Sequence, residues 1–232
     1  MLNTATHTVP VVTIDGPSGS GKGTLSQIVA QRLGFHLLDS GALYRLVALS
    51  TTQQRVDVLD QNAVAQIAVH LNVRFVAEGA ITKILLDGVD VTDAIRHETV
   101  GMNASLVAAY PAVRQALLQK QKDFAQAPGL VADGRDMGTT VFPDAPLKFF
   151  LTASAEARAE RRFKQLQQKC VSVDMNELVS DIKARDERDT HRDVSPLTPA
   201  KDAQIIDSTL LSIEQVLDLM LTKAHKTLGV NL

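Results

Sequence analysis

Short apolar runs alternate with amphipathic runs along most of this chain. The first apolar run covers residues 11–14 and ends at Asp15, Gly16 and Pro17, which favour a turn. A short apolar run ended by turn formers is typical of a strand that is buried on both faces. Apolar residues then recur at helical spacing over 25–33, and Gly34 follows at a common helix stop. The pattern therefore predicts a strand, a loop and a helix.

The same alternation returns later in the chain. Further strands are predicted within 35–49, 129–138, 146–154 and 203–209. The first of these is followed by a turn at 39–41 and a second helix, and the last by a closing helix over 212–228. Strands that alternate with helices predict an α/β fold with a parallel sheet. Ligands bind such sheets at the carboxyl ends of the strands, where Asp-Gly and Asp-Ser pairs stand in this chain.

The segment 71–95 has a different pattern, in which apolar and polar residues alternate. Its turn signals at Glu78-Gly79 and Asp87-Gly88 predict a small antiparallel meander. A helical pattern precedes the meander, and two more follow it within 98–126. We therefore predict that residues 57–105 form an insertion on the parallel core.

The loop after the first strand has the spacing G-x-x-x-x-G-K, with Gly16, Gly21 and Lys22. Glycines allow successive backbone N–H groups to turn inward, and the start of the next helix adds partial positive charge. Because Lys22 supplies a full charge, this loop suits the β- and γ-phosphates of a nucleotide. The alternative is a flexible glycine-serine linker, against which the flanking strand and helix argue. Gly23 separates the lysine from the hydroxyl of Thr24, an ending similar to that of nucleoside monophosphate kinases.

Arginine is concentrated in two late runs. They contain Arg158, Arg161 and Arg162 in EARAERRF, and Arg185, Arg188 and Arg192 in IKARDERDTHRD, in both cases at helical spacing. Acidic residues are interleaved with them, so one interpretation is a pair of solvated helices with internal salt bridges. The phosphate-binding loop favours another interpretation, because permanently charged, planar guanidinium groups suit the oxygens of a transferred phosphoryl group. The two runs would then form a closing lid.

Two further loops place polar residues at predicted strand ends. In VADGRDMG, Asp133 can hold the Mg²⁺ shell beside the phosphates, Arg135 can bind a second phosphate, and Asp136 can accept hydrogen bonds from a ligand. In LDSGALYR, Ser40 opens a helix and Arg45 lies one turn further on. The alternatives are an Asx-turn that closes the strand and a plain helix N-cap.

Composition and charge argue against several classes of function. The chain of 232 residues has a net charge of −2 and 4% aromatic residues. It therefore has neither the excess of basic residues nor the aromatic residues for base stacking that are typical of nucleic-acid-binding proteins. The 6 histidines form no zinc motif, and the single cysteine, Cys170, excludes an internal disulfide framework and favours a reducing compartment. The start of the chain lacks a secretory signal, and no apolar run approaches the ~20 residues of a membrane helix. We expect a soluble, cytoplasmic protein without a membrane span.

Four motifs together resemble one known family. The bacterial cytidylate kinases, which are nucleoside monophosphate kinases, have similar motifs in the same order and spacing. In this chain the motifs are IDGPSGSGKGT, LLDSGALYR, ADGRDMGTTVFPDA and RDERD. The similarity runs from about Val11 to the last helix. The glycine loop alone indicates only a nucleoside triphosphate binder, whereas DSGALYR combined with DGRDMGT is much more specific.

The resemblance implies an α/β fold of the P-loop NTPase type, in which helices flank a five-stranded parallel sheet. The core is expected to cover 1–56, 106–155 and 192–232, and an inserted monophosphate-binding domain with a small antiparallel sheet to cover 57–105. A short arginine-rich lid is expected at 156–191. We further expect a monomer whose partners are small-molecule substrates, with no nucleic acid and no membrane among them.

The activity that the resemblance implies is phosphorylation of CMP, and of dCMP, by ATP with Mg²⁺ as cofactor, by direct in-line transfer in a closed site that excludes water. This reaction belongs to pyrimidine nucleotide metabolism. ATP binding is expected at Gly16, Pro17, Ser18, Gly19, Ser20, Gly21, Lys22, Gly23 and Thr24. CMP binding is expected at Ser40, Arg45, Ser105, Arg114, Arg135, Asp136, Arg185 and Asp189. Metal binding through water is expected at Thr24 and Asp133, and catalytic roles at Lys22, Arg162, Arg185 and Arg188.

Three alternatives stay open at this point. A regulatory nucleotide switch needs only the glycine loop, although the N-K-x-D motif that reads guanine is missing and a second arginine-rich site is present. An RNA-binding module could use the late arginines, against which the interleaved acidic residues and the negative net charge argue. The nearest competitor is the same fold acting on UMP or another monophosphate, which a panel of monophosphates assayed with ATP separates.

Overall fold

The computed structural model describes residues 9–78, 81–168 and 173–229 of the chain. The described residues form two compact units, the first within 9–38, 121–191 and 195–229 and the second within 39–120 and 192–194. The predicted limits of the insertion and of the lid stay a prediction. Three features used above lie outside the described residues, namely the first 8 residues, Gly79 and Cys170.

Sixteen regular elements follow one another along the described residues. In chain order they are β1 (Val11–Asp15), α1 (Lys22–Leu33), β2 (His36–Asp39), α2 (Ser40–Gln53), α3 (Gln61–Val69), β3 (Val73–Glu78), β4 (Ile81–Leu86), β5 (Val89–Asp90), α4 (Glu98–Val107), α5 (Pro111–Lys122), β6 (Leu130–Gly134), β7 (Leu147–Thr152), α6 (Ala155–Gln168), α7 (Met175–Thr190), β8 (Gln204–Asp207) and α8 (Ile213–Leu228). A short 3₁₀ helix covers Ala94–Arg96, and a π-helical turn covers Met137–Val141.

A parallel sheet of five strands, in the order β2-β6-β1-β7-β8, forms the centre of the first unit. β1 pairs with β6 on one side and with β7 on the other, so that Val12 lies opposite both Val131 and Leu147. β1 and β6 are buried along their whole length, as expected for central strands of a sheet covered on both faces. The predicted α/β fold with a parallel sheet is confirmed. The strand order also brings the carboxyl ends of β1 and β6 next to each other.

Helices α1 and α8 cover this sheet with their apolar faces. Leu25 and Val29 of α1 and Met220 of α8 belong to one buried cluster with side chains of β1 and β7, such as Ile14 and Phe149. α1 ends where the sequence predicts, because Gly34 adopts a left-handed conformation with φ 66° and its N–H closes the last turn. α8 begins with a capping box, in which Ser212 and Gln215 satisfy each other's backbone N–H groups.

The second unit contains helices α2 to α4, most of α5 and a small antiparallel sheet. Leu43, Leu46 and Val47 make one face of α2 fully buried, and α3 and α4 pack against this helix. Strands β3, β4 and β5 form the sheet in sequential order, which confirms the predicted meander. The turn between β4 and β5 lies at Asp87-Gly88, as predicted.

Two local predictions are wrong. β2 passes directly into α2 without a turn at 39–41, because Asp39 Oδ1 accepts the N–H of Ala42 at 3.1 Å and so caps the helix. The predicted start of a helix at Ser40 is correct, and only the separate turn before it is absent, because Asp-Ser pairs favour helix N-caps as well as turns. Arg192 does not continue α7, which ends at Thr190. The carbonyl of Asp189 accepts the N–H of Leu197 at 2.7 Å, which replaces the next helical hydrogen bond.

Among the described residues, no helix combines the length and the apolar character that crossing a membrane requires.

Met220→Ala should lower the free energy of unfolding by about 2–5 kcal/mol, because truncation of a fully buried core side chain leaves a cavity. The neighbouring Leu219 is 48% exposed and gives a matched control. Leu219→Ala should cost about 1 kcal/mol or less, since most of this side chain is in water in both states. Urea unfolding followed by circular dichroism measures both losses. Equal losses would contradict the assignment of the buried face of α8.

Candidate active site

The phosphate loop, residues 16–21, joins β1 to α1 and accepts only glycine at its first position. Gly16 has a φ of 152°, and a Cβ on this residue would lie 2.0 Å from the carbonyl oxygen of Leu151 on β7. The loop backbone therefore runs in direct contact with the backbone of β7. α1 begins at Lys22, and within the described part of the chain no side chain caps its N-terminus. An uncapped helix N-terminus is a favourable position for an anion.

Three carbonyl oxygens of the phosphate loop accept hydrogen bonds from side chains. Pro17 O accepts from Ser20 Oγ at 3.0 Å. Ser18 O accepts from Arg158 Nη1 at 3.1 Å, and Ser20 O accepts from Arg161 Nη1 at 3.3 Å. In a trans peptide the C=O and the N–H point in opposite directions. The N–H groups that follow these carbonyls therefore point away from the side-chain donors, as a loop that binds phosphate requires.

Lys22 lies beside the end of β6. Its ammonium nitrogen is 3.9 Å from Asp133 Oδ1 and 3.4 Å from the carbonyl oxygen of Pro17. The side chains of Lys22 and Asp133 are only 13% and 9% exposed, so water screens this pair of opposite charges incompletely. A Cβ on Gly23 would lie 3.5 Å from Asp133 Oδ2, which shows that the carboxylate faces the start of α1.

The surroundings of Thr24 and Asp133 fit a magnesium ion. Thr24 is exposed in the first turn of α1, next to the Gly23 that the Asp133 carboxylate faces. Mg²⁺ in nucleotide sites is usually held by one or two protein oxygens, with waters and substrate phosphates as the other ligands. One carboxylate and one hydroxyl provide such a donor set. Over the residues that the structure describes, no three His, Cys, Asp or Glu side chains form a metal cluster.

The DGRD loop, residues 133–136, leads into the π-helical turn. Asp15, the last residue of β1, accepts the N–H of Met137 on Oδ1 at 2.9 Å and the N–H of Gly138 on Oδ2 at 2.8 Å. Asp15 is 5% exposed. Burial raises the pKa of its carboxyl from 3.8 to about 6, although the two N–H donors act in the opposite direction. The Asp15 carboxylate thus fixes the backbone directly after Asp136.

The structure brings together predicted CMP-binding residues that are distant in sequence. Arg135 Nε donates to Asp189 Oδ2 at 2.9 Å, which joins the DGRD loop to the end of α7. Both partners are largely buried, and Asp136 is also buried. Three of the eight predicted CMP-binding residues therefore lie at the carboxyl end of β6, and Arg185 is one helical turn before Asp189 on α7.

The arginines of α6 and α7 differ strongly in their surroundings. Arg162 and Arg185 are half-buried, and Arg188 is exposed with its Nε donating to a carbonyl of its own helix at 3.3 Å. Arg158 is instead 4% exposed and forms a two-pronged ion pair with Asp186 of α7. The interpretation of these arginines as side chains on solvated helices therefore does not hold for Arg158.

The second unit holds the other predicted CMP-binding residues. They are Ser40 and Arg45 on α2, Ser105 on α4 and Arg114 on α5. Arg45 Nη1 donates to the carbonyl of Ile95 at 2.8 Å, and Ser40, Ser105 and Arg114 are buried. The Arg114 guanidinium lies over the Tyr44 ring, 5.5 Å from its centroid, in a cation–π contact. Contacts within this unit thus hold both arginine side chains in place.

Sequence reasoning missed the structural roles of three residues that organise the first unit, namely Asp15, Arg158 and Arg161. A signal for Asp15 existed in the sequence, since one acidic residue closes an otherwise uncharged run that is predicted to be a buried strand. The sequence has no local signal for the burial of Arg158, because its partners Ser18 and Asp186 lie 140 and 28 residues away. The sequence has no comparable signal for Arg161, which differs from Arg162 only in the direction it faces.

Comparison with known proteins places this chain among close relatives. It matches a family model described as cytidylate kinase over residues 12–226. It is 52% identical to the cytidylate kinase of Serratia proteamaculans over 225 residues, which are 97% of this chain and 98% of that protein. It is 59% identical to the cytidylate kinase of Pseudomonas entomophila over 210 residues, which are 90% and 92% of the two chains.

Asp15 should give the protein a specific dependence of stability on pH. Its folded pKa of about 6 lies above the ordinary value of 3.8, so between these values the folded state holds a proton that the unfolded state has lost. The contribution of Asp15 to the free energy of unfolding should therefore fall as the pH rises through this window, by about 3 kcal/mol in all, and be absent above it.

Asp15→Asn does not titrate and removes this contribution. Urea unfolding of both proteins between pH 4.5 and 7.5 measures the difference in their free energies of unfolding, in which the other titrating groups cancel. Relative to the variant, the wild type should lose stability as the pH rises to about 6. Parallel curves for the two proteins would contradict this account of Asp15.

Proposed function

The chain belongs to the cytidylate kinase family, and we propose that it transfers the γ-phosphoryl group of ATP to CMP, and to dCMP, in one direct in-line step. Membership of this family makes it a nucleoside monophosphate kinase, which is a phosphotransferase. The observation that carries the proposal is the phosphate loop, whose carbonyls accept hydrogen bonds from side chains, together with Lys22, which follows the loop and lies beside Asp133. The overall reaction is ATP + CMP → ADP + CDP.

The chemistry of the acceptor explains why such a site needs no general base. The phosphate of CMP has a second pKa of about 6, so at neutral pH an oxygen of this phosphate is already a nucleophile. It attacks the γ-phosphorus of ATP, and the bond from this phosphorus to the β–γ bridging oxygen breaks. Catalysis then consists of alignment and stabilisation of charge, for which fixed N–H groups and guanidinium groups are suited.

The proposed roles in the first unit follow from this chemistry. Backbone N–H groups of residues 16–24 bind the β- and γ-phosphates, and Lys22 neutralises charge on the γ-phosphoryl group as it moves. Arg162, Arg185 and Arg188 supply further positive charge. The position of Arg185 one helical turn before Asp189, which pairs with Arg135 of the DGRD loop, supports the proposal.

Mg²⁺ is the proposed cofactor, and Thr24 and Asp133 are the residues that would hold it, through water. When bound, the ion neutralises charge on the β- and γ-phosphate oxygens. Asp133 lies close to Lys22, so the carboxylate can also orient the lysine.

The proposed CMP-binding residues of the first unit are Arg135, Asp136, Arg185 and Asp189. Asp136 is proposed to read the base, because its carboxylate can accept a hydrogen bond from the N4 amino group of cytosine. The burial of Asp136 supports this role, since a buried acceptor discriminates strongly between a donor and another acceptor. Ser40, Arg45, Ser105 and Arg114 of the second unit are the remaining proposed contacts to CMP.

A substrate panel tests the proposed function. ADP formation from ATP and Mg²⁺ is measured alone and with CMP, dCMP, UMP, AMP and GMP in turn. We expect ADP formation to depend on CMP or dCMP, and nucleoside diphosphates to appear in equal amounts with ADP. ADP formation that is independent of every monophosphate would instead indicate a nucleotide-hydrolysing switch.

Lys22→Met should leave the fold intact and lower kcat by on the order of 10²-fold or more, because it removes a charge that matters most as the γ-phosphoryl group departs. Lys223→Met, which changes an exposed lysine of α8, is the matched control and should keep normal turnover. Steady-state assays with ATP and CMP, together with circular dichroism, give both readouts. Normal turnover of a folded Lys22→Met variant would refute the assignment of the phosphate loop.

Asp136→Asn should lower the ratio of kcat/KM for CMP to that for UMP. Uracil presents a carbonyl oxygen where cytosine presents its N4 amino group, so a carboxylate disfavours UMP, whereas an amide can rotate to donate to it. One mismatched buried contact costs ~1–3 kcal/mol, which is roughly 5- to 150-fold in kcat/KM. Both monophosphates are assayed at saturating ATP.

Asp144→Asn, on an exposed residue close by in sequence, is the control for this change and should leave the ratio as it is. A parallel loss of CMP and UMP activity in Asp136→Asn would show that Asp136 does not read the base.

A further inference from the structure

Arg158 is a buried cation whose hydrogen bonds reach three separate parts of the first unit. Its Nε donates to the carbonyls of Ala153 at 2.9 Å and Ser154 at 3.3 Å, just before α6. Its Nη1 donates to Ser18 O of the phosphate loop at 3.1 Å, and Nη1 and Nη2 each donate to one carboxylate oxygen of Asp186 on α7. A planar guanidinium makes such bonds in fixed relative directions, so it couples the positions of its partners.

The contact with the phosphate loop determines the direction of one peptide group. Because Ser18 C=O points to Arg158, the N–H of Gly19 in the same peptide points to the opposite side. The loop also packs tightly on the side-chain stem, since a Cβ on Gly19 would lie 3.2 Å from Cβ of Arg158. Loss of the guanidinium would thus leave a loop carbonyl without this donor and allow the peptide to rotate.

The contact with Asp186 fixes the helix that carries two of the proposed catalytic arginines. Asp186 follows Arg185 directly and precedes Arg188 by two residues. A second ion pair between the same two helices joins Lys183 to Glu156, whose side chains are 60% and 62% exposed. Exposed pairs contribute little, whereas the pair of the buried Arg158 with the half-buried Asp186 is two-pronged and has a defined geometry. The Arg158–Asp186 pair therefore sets how α7 lies against α6.

We propose that Arg158 and Asp186 are positioning residues for phosphoryl transfer, which hold the Gly19 amide and the arginines of α7 in one common geometry. This inference rests on the proposed function. Arg158 does not touch the reacting atoms in this role. It holds the phosphate loop and α7 in a fixed relative position, so that the Gly19 amide and the arginines of α7 can bind the same phosphoryl group.

The test separates the two contacts of Arg158. Asp186→Asn keeps the shape of the side chain but removes the charge that holds α7, and Asp186 is far enough into solvent, at 26% exposure, for this variant to fold. Arg158→Lys keeps the charge but cannot bridge the loop and α7 together. Glu156→Gln breaks the exposed pair between the same two helices and is the matched control.

Asp186→Asn should lower kcat by on the order of 10- to 100-fold with the KM for ATP nearly unchanged, because misplacement of a charged group by about 1 Å has effects of this size. Arg158→Lys should lower kcat and also raise the KM for ATP, since the loop loses its support. Glu156→Gln should change neither. All assays are run well below the unfolding temperature of each variant, which is measured in parallel.

A double-mutant cycle identifies the route of the effect. If Asp186 acts through the arginines of α7, Asp186→Asn should lower kcat by a clearly smaller factor in an Arg188→Ala background than in the wild type. The same factor in both backgrounds would overturn the proposal, as would an Asp186→Asn variant whose unfolding temperature falls while its kcat stays within about twofold of the wild-type value. A wild-type protein without CMP-dependent ADP formation would instead reject the proposed function itself.

Discussion

A peptide group cannot present its N–H and its C=O to the same side, and this constraint organises the first unit. For the phosphate loop to offer N–H groups to an anion, its carbonyls need donors on the opposite side. Ser20 Oγ, Arg158 and Arg161 are these donors, and Ser208 Oγ adds a second bond to Ser20 O at 3.3 Å. A buried carbonyl left without a partner costs about 1–3 kcal/mol, so these bonds favour the packing of α6 and of Ser208, directly after β8, against the loop.

The parallel sheet places the other polar groups relative to that loop. Because β1 and β6 are neighbours and run in the same direction, Asp15 and Asp133 stand at one edge of the sheet. Asp133 lies beside Lys22, and Asp15 binds the backbone that follows Asp136. A single strand, β1, thus leads into the phosphate loop and also fixes the exit of the DGRD loop.

Periodicity was enough to predict the strands of the sheet, the meander and the helices, because each of these depends on a local pattern of burial. The end of β2 was not predictable in this way, since Asp39 can form a turn or cap a helix and only the packing of α2 decides. The arginines show a deeper limit. Spacing predicts that Arg158, Arg161 and Arg162 share a helix, but burial of Arg158 depends on Ser18 and Asp186, 140 and 28 residues away. Long-range partners of this kind leave no local pattern.

The contact between Gly16 and Leu151 ties the phosphate loop to main-chain atoms. The neighbour that excludes a Cβ at position 16 is a carbonyl oxygen, which every amino acid at position 151 would supply. Evolution can therefore exchange the side chain of Leu151 for another that fits the core without moving the loop, while position 16 has no such freedom. The backbone of β7 therefore determines where the loop lies, so the core side chains of this strand can change during evolution while the loop keeps its position.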